Sequence, residues 1–248
     1  LRKSVEADQL SEGRYEQASN LFRQWLSESV LIQEKEPALY LYSTDYTIPS
    51  GKKFTRRGFI SLTGLDEFSE GIVKPHEKTF RGVTSDRLKL IDACKAQFSP
   101  IFSLYSDPAS EVIDCLESAC PSEPLYSVSD QDGCQHTIWA VTDASAIKKV
   151  QELFKEKSMY IADGHHRYTT SLQLRELMRK RKGTVESSSP FDYTMMYMCA
   201  MEDEGLSVLP THRLLRIPYI TTVDAIVSRL RESFEVEELV NGSRETLV

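Results

Sequence analysis

Two apolar periods interleave along the chain. Short runs of dense or alternating apolar residues give way repeatedly to apolar spacing of three and four residues. This predicts an α/β (α+β) fold, a mixed sheet with flanking helices. From 14 to 30, Tyr15, Ala18, Leu21, Phe22, Trp25 and Leu26 recur on one helical face, which predicts a core-facing helix with Trp25 packed inside. Residues 38–42 and 55–62 read as a hairpin closed by Pro49-Ser50-Gly51-Lys52. Residues 71–74 read as a strand stopped by Pro75. A helix over 85–97 follows, capped by Ser85 or Thr84, with Leu88, Ile91, Ala93 and Cys94 inward, and then a strand over 100–105 stopped by Ser106-Asp107-Pro108.

The second half repeats the pattern. An amphipathic helix is expected over 111–120 and a second hairpin, 125–129 with 136–141, across the Asp130–Gly133 turn. His136 alternates with Ile138 on that hairpin and reads as structural, without polar neighbours. Asp143 opens a helix running to about 157. The stretch 159–163 is a buried strand that ends in Asp-Gly and passes into a helix over 167–182, whose final Lys180-Arg181-Lys182 suits a helix C-terminus. Residues 191–201 predict a central strand with methionines as core filler, 206–209 another strand, and 222–234 a last helix.

Three polar clusters fall at the ends of apolar strands: Pro75-His76-Glu77-Lys78-Thr79, Asp163-Gly164-His165-His166-Arg167-Tyr168 and Pro210-Thr211-His212-Arg213. The middle one carries the sharpest chemistry. Free N–H groups and the positive end of a helix dipole make an anion site, and Gly164, His165, His166 and Arg167 would furnish a phosphate cradle. Asp163 would cap the helix and stand beside the cradle as acid, base or metal ligand. The three loops are expected to meet in one cleft with 164–167 as its floor. The basic group Lys52, Lys53, Arg56 and Arg57 reads first as a solvated hairpin tip, and otherwise as a source of an arginine for a phosphate. Imidazole and carboxylate also suit a metal centre of His76, Glu77, Asp163, His165 and His212, although no H-E-x-x-H spacing is present. A third reading is a non-catalytic nucleotide or anion-binding regulatory module.

Composition narrows these options. The chain has 248 residues, 40% hydrophobic, with net charge −7, and its pI is about 5.4 with mean hydropathy −0.36. That is an ordinary globular composition, expected to form a single α/β domain over 1–248. The acidic balance argues against a nucleic-acid partner. No apolar run approaches the roughly 20 residues that span a bilayer. No signal peptide is evident, and the chain begins at Leu1, so a piece of a longer protein is expected, in the cytoplasm. The five cysteines are odd in number and lack C-x-x-C spacing, which predicts reduced thiols. The sequon Asn241-Gly242-Ser243 carries weight only in a secreted chain.

The motif 161–168, Ile-Ala-Asp-Gly-His-His-Arg-Tyr, resembles an uncharacterised bacterial and archaeal family catalogued as domain of unknown function 1015. The resemblance also rests on Pro75-His76-Glu77-Lys78-Thr79, Asp86-Arg87-Leu88, Ser99–Phe102, Tyr105–Pro108 and Leu209–Arg213. It runs from the first helix to about 236, and it implies extra segments at both ends, including a Pro-Pro-Tyr-Asp-like stretch absent here. Residues 71–182 are more distantly similar to the ParB/sulfiredoxin-like fold, with the second hairpin and a helix as insertions. Free serine kinases of that superfamily carry a similar Asp-Gly-His-His-Arg turn.

That likeness implies a phosphate-binding core over 71–182 and a nucleotide-dependent phosphotransferase using ATP or ADP with Mg. Its acceptor would be a small hydroxyl compound such as serine. His165, His166, Arg167, His76 and the Gly164 backbone would hold phosphates, with Lys78, Arg87 and Arg213 adding charge. Glu77 or Asp163, with His165, would handle the acceptor proton, and Asp163 would hold Mg. Thr79, Tyr168, Thr211 and His212 would complete the pocket.

Overall fold

The computed structural model describes residues 2–48, 50–79, 81–183, 188–208 and 222–237. In chain order the elements are α1 (Arg2–Ser27), β1 (Leu39–Thr47), β2 (Lys53–Gly64), β3 (Val73–Lys74), α2 (Arg81–Cys94), β4 (Ile101–Tyr105) and α3 (Glu111–Ser118). Then follow β5 (Tyr126–Ser129), β6 (Gln135–Val141), α4 (Ala144–Phe154), β7 (Met159–Asp163), α5 (His165–Lys182), β8 (Tyr193–Ala200) and α6 (Val223–Leu230). The chain forms two compact units: Leu1–Ile48 with Lys53–Leu206, and Pro49–Lys52 with Ser207–Val248. In the second, the Thr222 hydroxyl caps α6 by accepting from the Ala225 N–H at 3.2 Å.

The first unit is built on one mixed eight-stranded sheet of order β3-β7-β4-β8-β2-β1-β6-β5. Two pairs are parallel, β3 with β7 and β4 with β8, and the rest are antiparallel. The expected mixed α/β architecture is therefore present, with the 193–200 run between β4 and β2 as predicted. Strand alternation sorts the side chains by face. Leu41, Phe59, Ile101, Met196 and Met198 lie in the core cluster with Val112, Ile113 and Leu116 of α3 and Ala146 and Val150 of α4. Asp143 caps α4 through the Ala146 N–H at 2.7 Å. Asp107 receives the Val112 N–H at 2.9 Å at the start of α3 and faces Lys157 at 3.3 Å. α2 packs on α5, and α1 packs on α2.

Several local expectations are corrected. Trp25 is 40% exposed, with Leu21 and Leu26 similarly open. α1 packs mainly on α2 and the loop after it, so among the described residues a narrow line is covered: Tyr15 and Ser19 are buried, and Phe22 meets Phe98 edge-on at 5.5 Å. α2 begins at Arg81, which places Thr84 and Ser85 inside the helix rather than at its cap. Residues 206–208 are not a strand, and Leu209 lies outside the described residues. His136 does have polar neighbours: its Nε2 faces Asp130 at 2.9 Å and its Nδ1 the Tyr42 hydroxyl at 2.6 Å. Arg56 is not at a solvated tip but lies over the rings of Phe102, Tyr197 and Tyr46 at 5.2–5.9 Å. Arg57 is held by Glu117 at 3.2 Å and Asp203 at 3.4 Å. All five cysteines are free thiols. Among the described residues no helix is long and apolar enough to cross a membrane.

At Gly58 on β2 a Cβ would stand 2.4 Å from the Met198 carbonyl oxygen and 2.5 Å from the Tyr197 ring. The neighbouring backbone cannot yield without disturbing the β2–β8 pairing. Gly58→Ala is expected to destabilise the protein by about 1–3 kcal/mol, the range for overpacking. Gly64→Ala, which meets nothing within 4 Å, is expected to change stability by less than about 0.5 kcal/mol. Denaturant midpoints of the two variants check the contrast.

Candidate functional site

Parallel pairing of β3 with β7 sets Val73 beside Met159 and Lys74 beside Tyr160. β3 stops beside Tyr160, three residues before β7 ends at Asp163, and the loop 75–79 runs on alongside the end of β7 toward the turn that starts α5. Gly164 takes the left-handed conformation there, φ 103° and ψ 26°, which glycine adopts at little cost. α5 begins at once with His165.

His165 is 1% exposed. The His76 backbone N–H donates to its Nε2 at 3.2 Å. With Nε2 an acceptor, the hydrogen of the neutral ring sits on Nδ1 and points to the Glu77 carboxylate, 3.2 Å away. His76 in turn donates from Nδ1 to the Ile161 carbonyl at 2.9 Å, which leaves its Nε2 outside that bond. The two imidazoles are perpendicular with centroids 4.3 Å apart. Ligand-capable atoms of His76, Glu77 and His165 all lie within 4.8 Å of one another. Burial pushes the pKa of His165 below its ordinary value, and the neighbouring His76 acts in the same direction, against the carboxylates of Glu77 and Asp163. His165 is thus a neutral donor to Glu77, whose side chain is half-exposed.

Arg167 leaves the other side of the helix start, two residues and about 200° round from His165. It folds back over Gly164, where a Cβ would come within 2.9–3.0 Å of the guanidinium. There it bonds the Asp163 carboxylate and the Pro100 carbonyl, and the Ser99 hydroxyl at 3.3 Å. Asp163 therefore does not cap α5 as expected: Gly164 holds the cap position without a side-chain bond, and Asp163 pairs with Arg167. One face of the Asp163 side chain stays open to solvent.

Of the predicted residues, the structure brings together His76, Glu77 and His165; Gly164 and Asp163 immediately precede His165, but the Asp163 carboxylate pairs with Arg167 and does not join the ligand-capable group. Lys78 is exposed and Thr79 half-buried on the first loop, and His166 is half-buried on α5. Arg87 lines a small cavity with Ser99 and Arg167, on the far side of the helix start from His165. Tyr168 points into the core. Its hydroxyl donates to the Asp66 carbonyl at 2.8 Å and accepts from the Asp66 N–H at 3.0 Å, and burial pushes its pKa up to about 12. Thr211, His212 and Arg213 lie outside the described residues. Sequence reasoning placed Ser99–Phe102 in the family resemblance without seeing that Ser99 and Pro100 fix Arg167, and it missed Asp66, which anchors Tyr168. Nothing local in the sequence marks those partners. It also missed the line Arg167, Ser171, Leu174 and Met178, whose four- and three-residue spacing was legible.

The site therefore defines an α/β protein with a histidine–carboxylate cluster where two parallel strands end and a helix begins. A family model described as "Protein of unknown function (DUF1015)" matches residues 2–247, and the chain belongs to that family. No curated protein and no solved structure matches it.

The depressed pKa of His165 has a consequence for stability. The folded state holds the ring neutral, so this contribution is complete above the ordinary histidine pKa of about 6.5 and is lost as pH falls through the lower folded value. Wild-type protein is expected to lose stability between pH 7 and pH 5, and His165→Gln to lose less over the same interval. Urea unfolding at pH 5, 6 and 7 measures the difference.

Proposed function

We propose that this protein is a cytoplasmic nucleotide-dependent phosphotransferase acting on a small hydroxyl acceptor such as serine. The observation that carries the reading is the pairing of Glu77 with a buried neutral histidine at a helix start, where backbone N–H groups favour an anion. One carboxylate oxygen faces His165 Nδ1, and the other is left for an acceptor hydroxyl. Phosphoryl transfer asks the protein mainly for alignment and charge stabilisation. In this scheme the acceptor oxygen forms a bond to the terminal phosphorus of ATP or ADP. The bond from that phosphorus to the bridging oxygen breaks, and the acceptor proton passes to Glu77. Asp163, half of whose carboxylate is free of Arg167, would hold Mg, which supplies charge neutralisation on the phosphates.

The ParB/sulfiredoxin-like resemblance gains support from the strand order. β3, β7 and β4 of the 71–182 core are neighbours, whereas the β5–β6 hairpin lies at the opposite edge of the sheet. That is where an insertion would sit.

A second reading, a metal-dependent hydrolase, is favoured by one observation. His165 Nδ1 and Glu77 Oε1 are 3.2 Å apart, a separation two ligands of one tetrahedral ion can adopt, and His76 supplies a third donor nearby.

Glu77→Gln is expected to lower turnover about 10²–10⁴-fold while nucleotide binding persists, measured with ATP or ADP, Mg and serine. Absence of calorimetric binding for ATP, ADP and CTP would sink the phosphotransferase reading. Binding without turnover over a panel of hydroxyl compounds would identify a regulatory module. Near-stoichiometric zinc, iron or manganese in purified protein, lost in His76→Ala and His165→Ala, would establish the metal centre instead.

A further inference from the structure

A groove runs along α5 away from the helix start. It consists of two cavities, of 70 and 410 Å³, that share Ile91, Gln97 and Ser171 as lining residues. The smaller reaches Arg87, Ser99 and Arg167. The larger is walled by Leu174, Met178, Phe191 and Met195. The groove therefore has a narrow end lined by two arginines and a wider, mostly apolar end whose lining also includes Lys95 and Lys182. Arg167, Ser171, Leu174 and Met178 follow one another on a single face of α5. At 1.5 Å rise per residue, about 10 Å separates Arg167 from Leu174 along the axis. Arg87 has no ion pair among the described residues, whereas Arg167 is tied to Asp163 and Pro100.

Gln97, Ser171 and Lys95 in the lining of the large cavity already have partners, Lys95 in an ion pair with Asp92. Gln97 donates to the Tyr193 carbonyl at 3.2 Å and accepts from the Met195 N–H at 2.5 Å and the Thr194 hydroxyl at 3.2 Å. Ser171 bonds the Arg167 carbonyl at 3.0 Å and lies 3.1 Å from the Thr194 hydroxyl. The Lys182 ammonium lies 5.2 Å from the centre of the Phe191 ring. Among the described residues the cavity thus presents mainly apolar surface and an aromatic ring, with the Lys182 ammonium beside that ring. Its volume is within the range of small-molecule sites, about 300–1,000 Å³.

We propose that this groove is the nucleotide's own seat, with the base in the Leu174–Met178–Phe191 pocket and the phosphate tail running past Arg87 to the Arg167 side of the start of α5, the terminal phosphate reaching over the Gly164 turn toward Glu77. The proposal rests on the phosphotransferase reading and adds to it the site of the base. A ligand with a flat, weakly polar body and an anionic tail about 10 Å long matches both ends of the groove at once, and nucleoside di- and triphosphates have that build. Because the pocket offers contact and stacking rather than directed hydrogen bonds, ATP and GTP bind alike.

Calorimetric titration of the full chain with ATP, and separately with inorganic tripolyphosphate, tests the division of roles. Met178→Trp fills the pocket and Phe191→Ala removes its ring. Each variant is expected to weaken ATP about tenfold or more, the worth of a lost base contact, and to leave tripolyphosphate unchanged. Two variants are used so that a folding defect in one, seen in its unfolding midpoint, leaves the other as the test. Unchanged ATP affinity in a folded variant overturns the base pocket while leaving the phosphotransferase reading to the Glu77→Gln assay. Equal loss of both ligands in a folded variant overturns it too, because the pocket would then not be separate from the phosphate end. Failure of wild-type protein to bind ATP overturns both.

Discussion

The hydrogen bond from the His76 amide to His165 Nε2 governs the candidate site. It crosses from the loop after β3 to the first residue of α5, two segments that are 89 residues apart in sequence. It decides which nitrogen of a buried ring carries the proton, and so decides that the ring offers a donor to Glu77. A buried imidazole with both nitrogens engaged is held in orientation as well as in charge. The perpendicular His76 ring, fixed by its own bond to the Ile161 carbonyl, closes the arrangement from the outer side. Glu77 is thus steered by a chain of contacts that starts in the backbone, with no second charged side chain needed.

The architecture that allows this was partly legible in the chain. The strand, Asp-Gly and helix order of 159–182 is a local pattern, as are both hairpins, and all appear where the apolar period changes. The expectation that polar loops at strand ends converge is met for the clusters around His76 and His165. The cluster at His212 lies outside the described residues. What the local pattern could not carry is pairing across distance. Nothing near Val73 says that it runs parallel to Met159, and only that pairing brings Glu77 to His165.

Each misread position turns on what surrounds it in the fold. Asp163 has the chemistry of a helix cap, but a guanidinium four residues later competes for it, and Gly164 in a left-handed conformation turns the chain before the side chain can reach the helix N–H groups. Trp25 has the spacing of a core residue, yet spacing reports only which residues share a face and not whether a second layer exists to cover it. For Arg56 and Arg57 the charge was read as solvation. The fold instead places one over aromatic rings, where its flat cation is well accommodated, and the other between two carboxylates.

The two halves of the candidate site are anchored very unequally. His165 belongs to an 18-residue helix that follows a strand paired on both sides. His76 and Glu77 hang from a two-residue strand at the edge of the sheet, paired on one side only. Opening free energies in a native protein scale with how much a segment buries and how many ladder bonds it must break. Val73 is buried in the core, so it is the exposed loop 75–78 beyond it that stands toward the low end of that scale, and the helix start near the top. Excursions that lift Glu77 away and bring it back can occur many times within one lifetime of the folded sheet. A loop so anchored can open without unfolding the sheet, so the contact of Glu77 with its histidine is separable from folding.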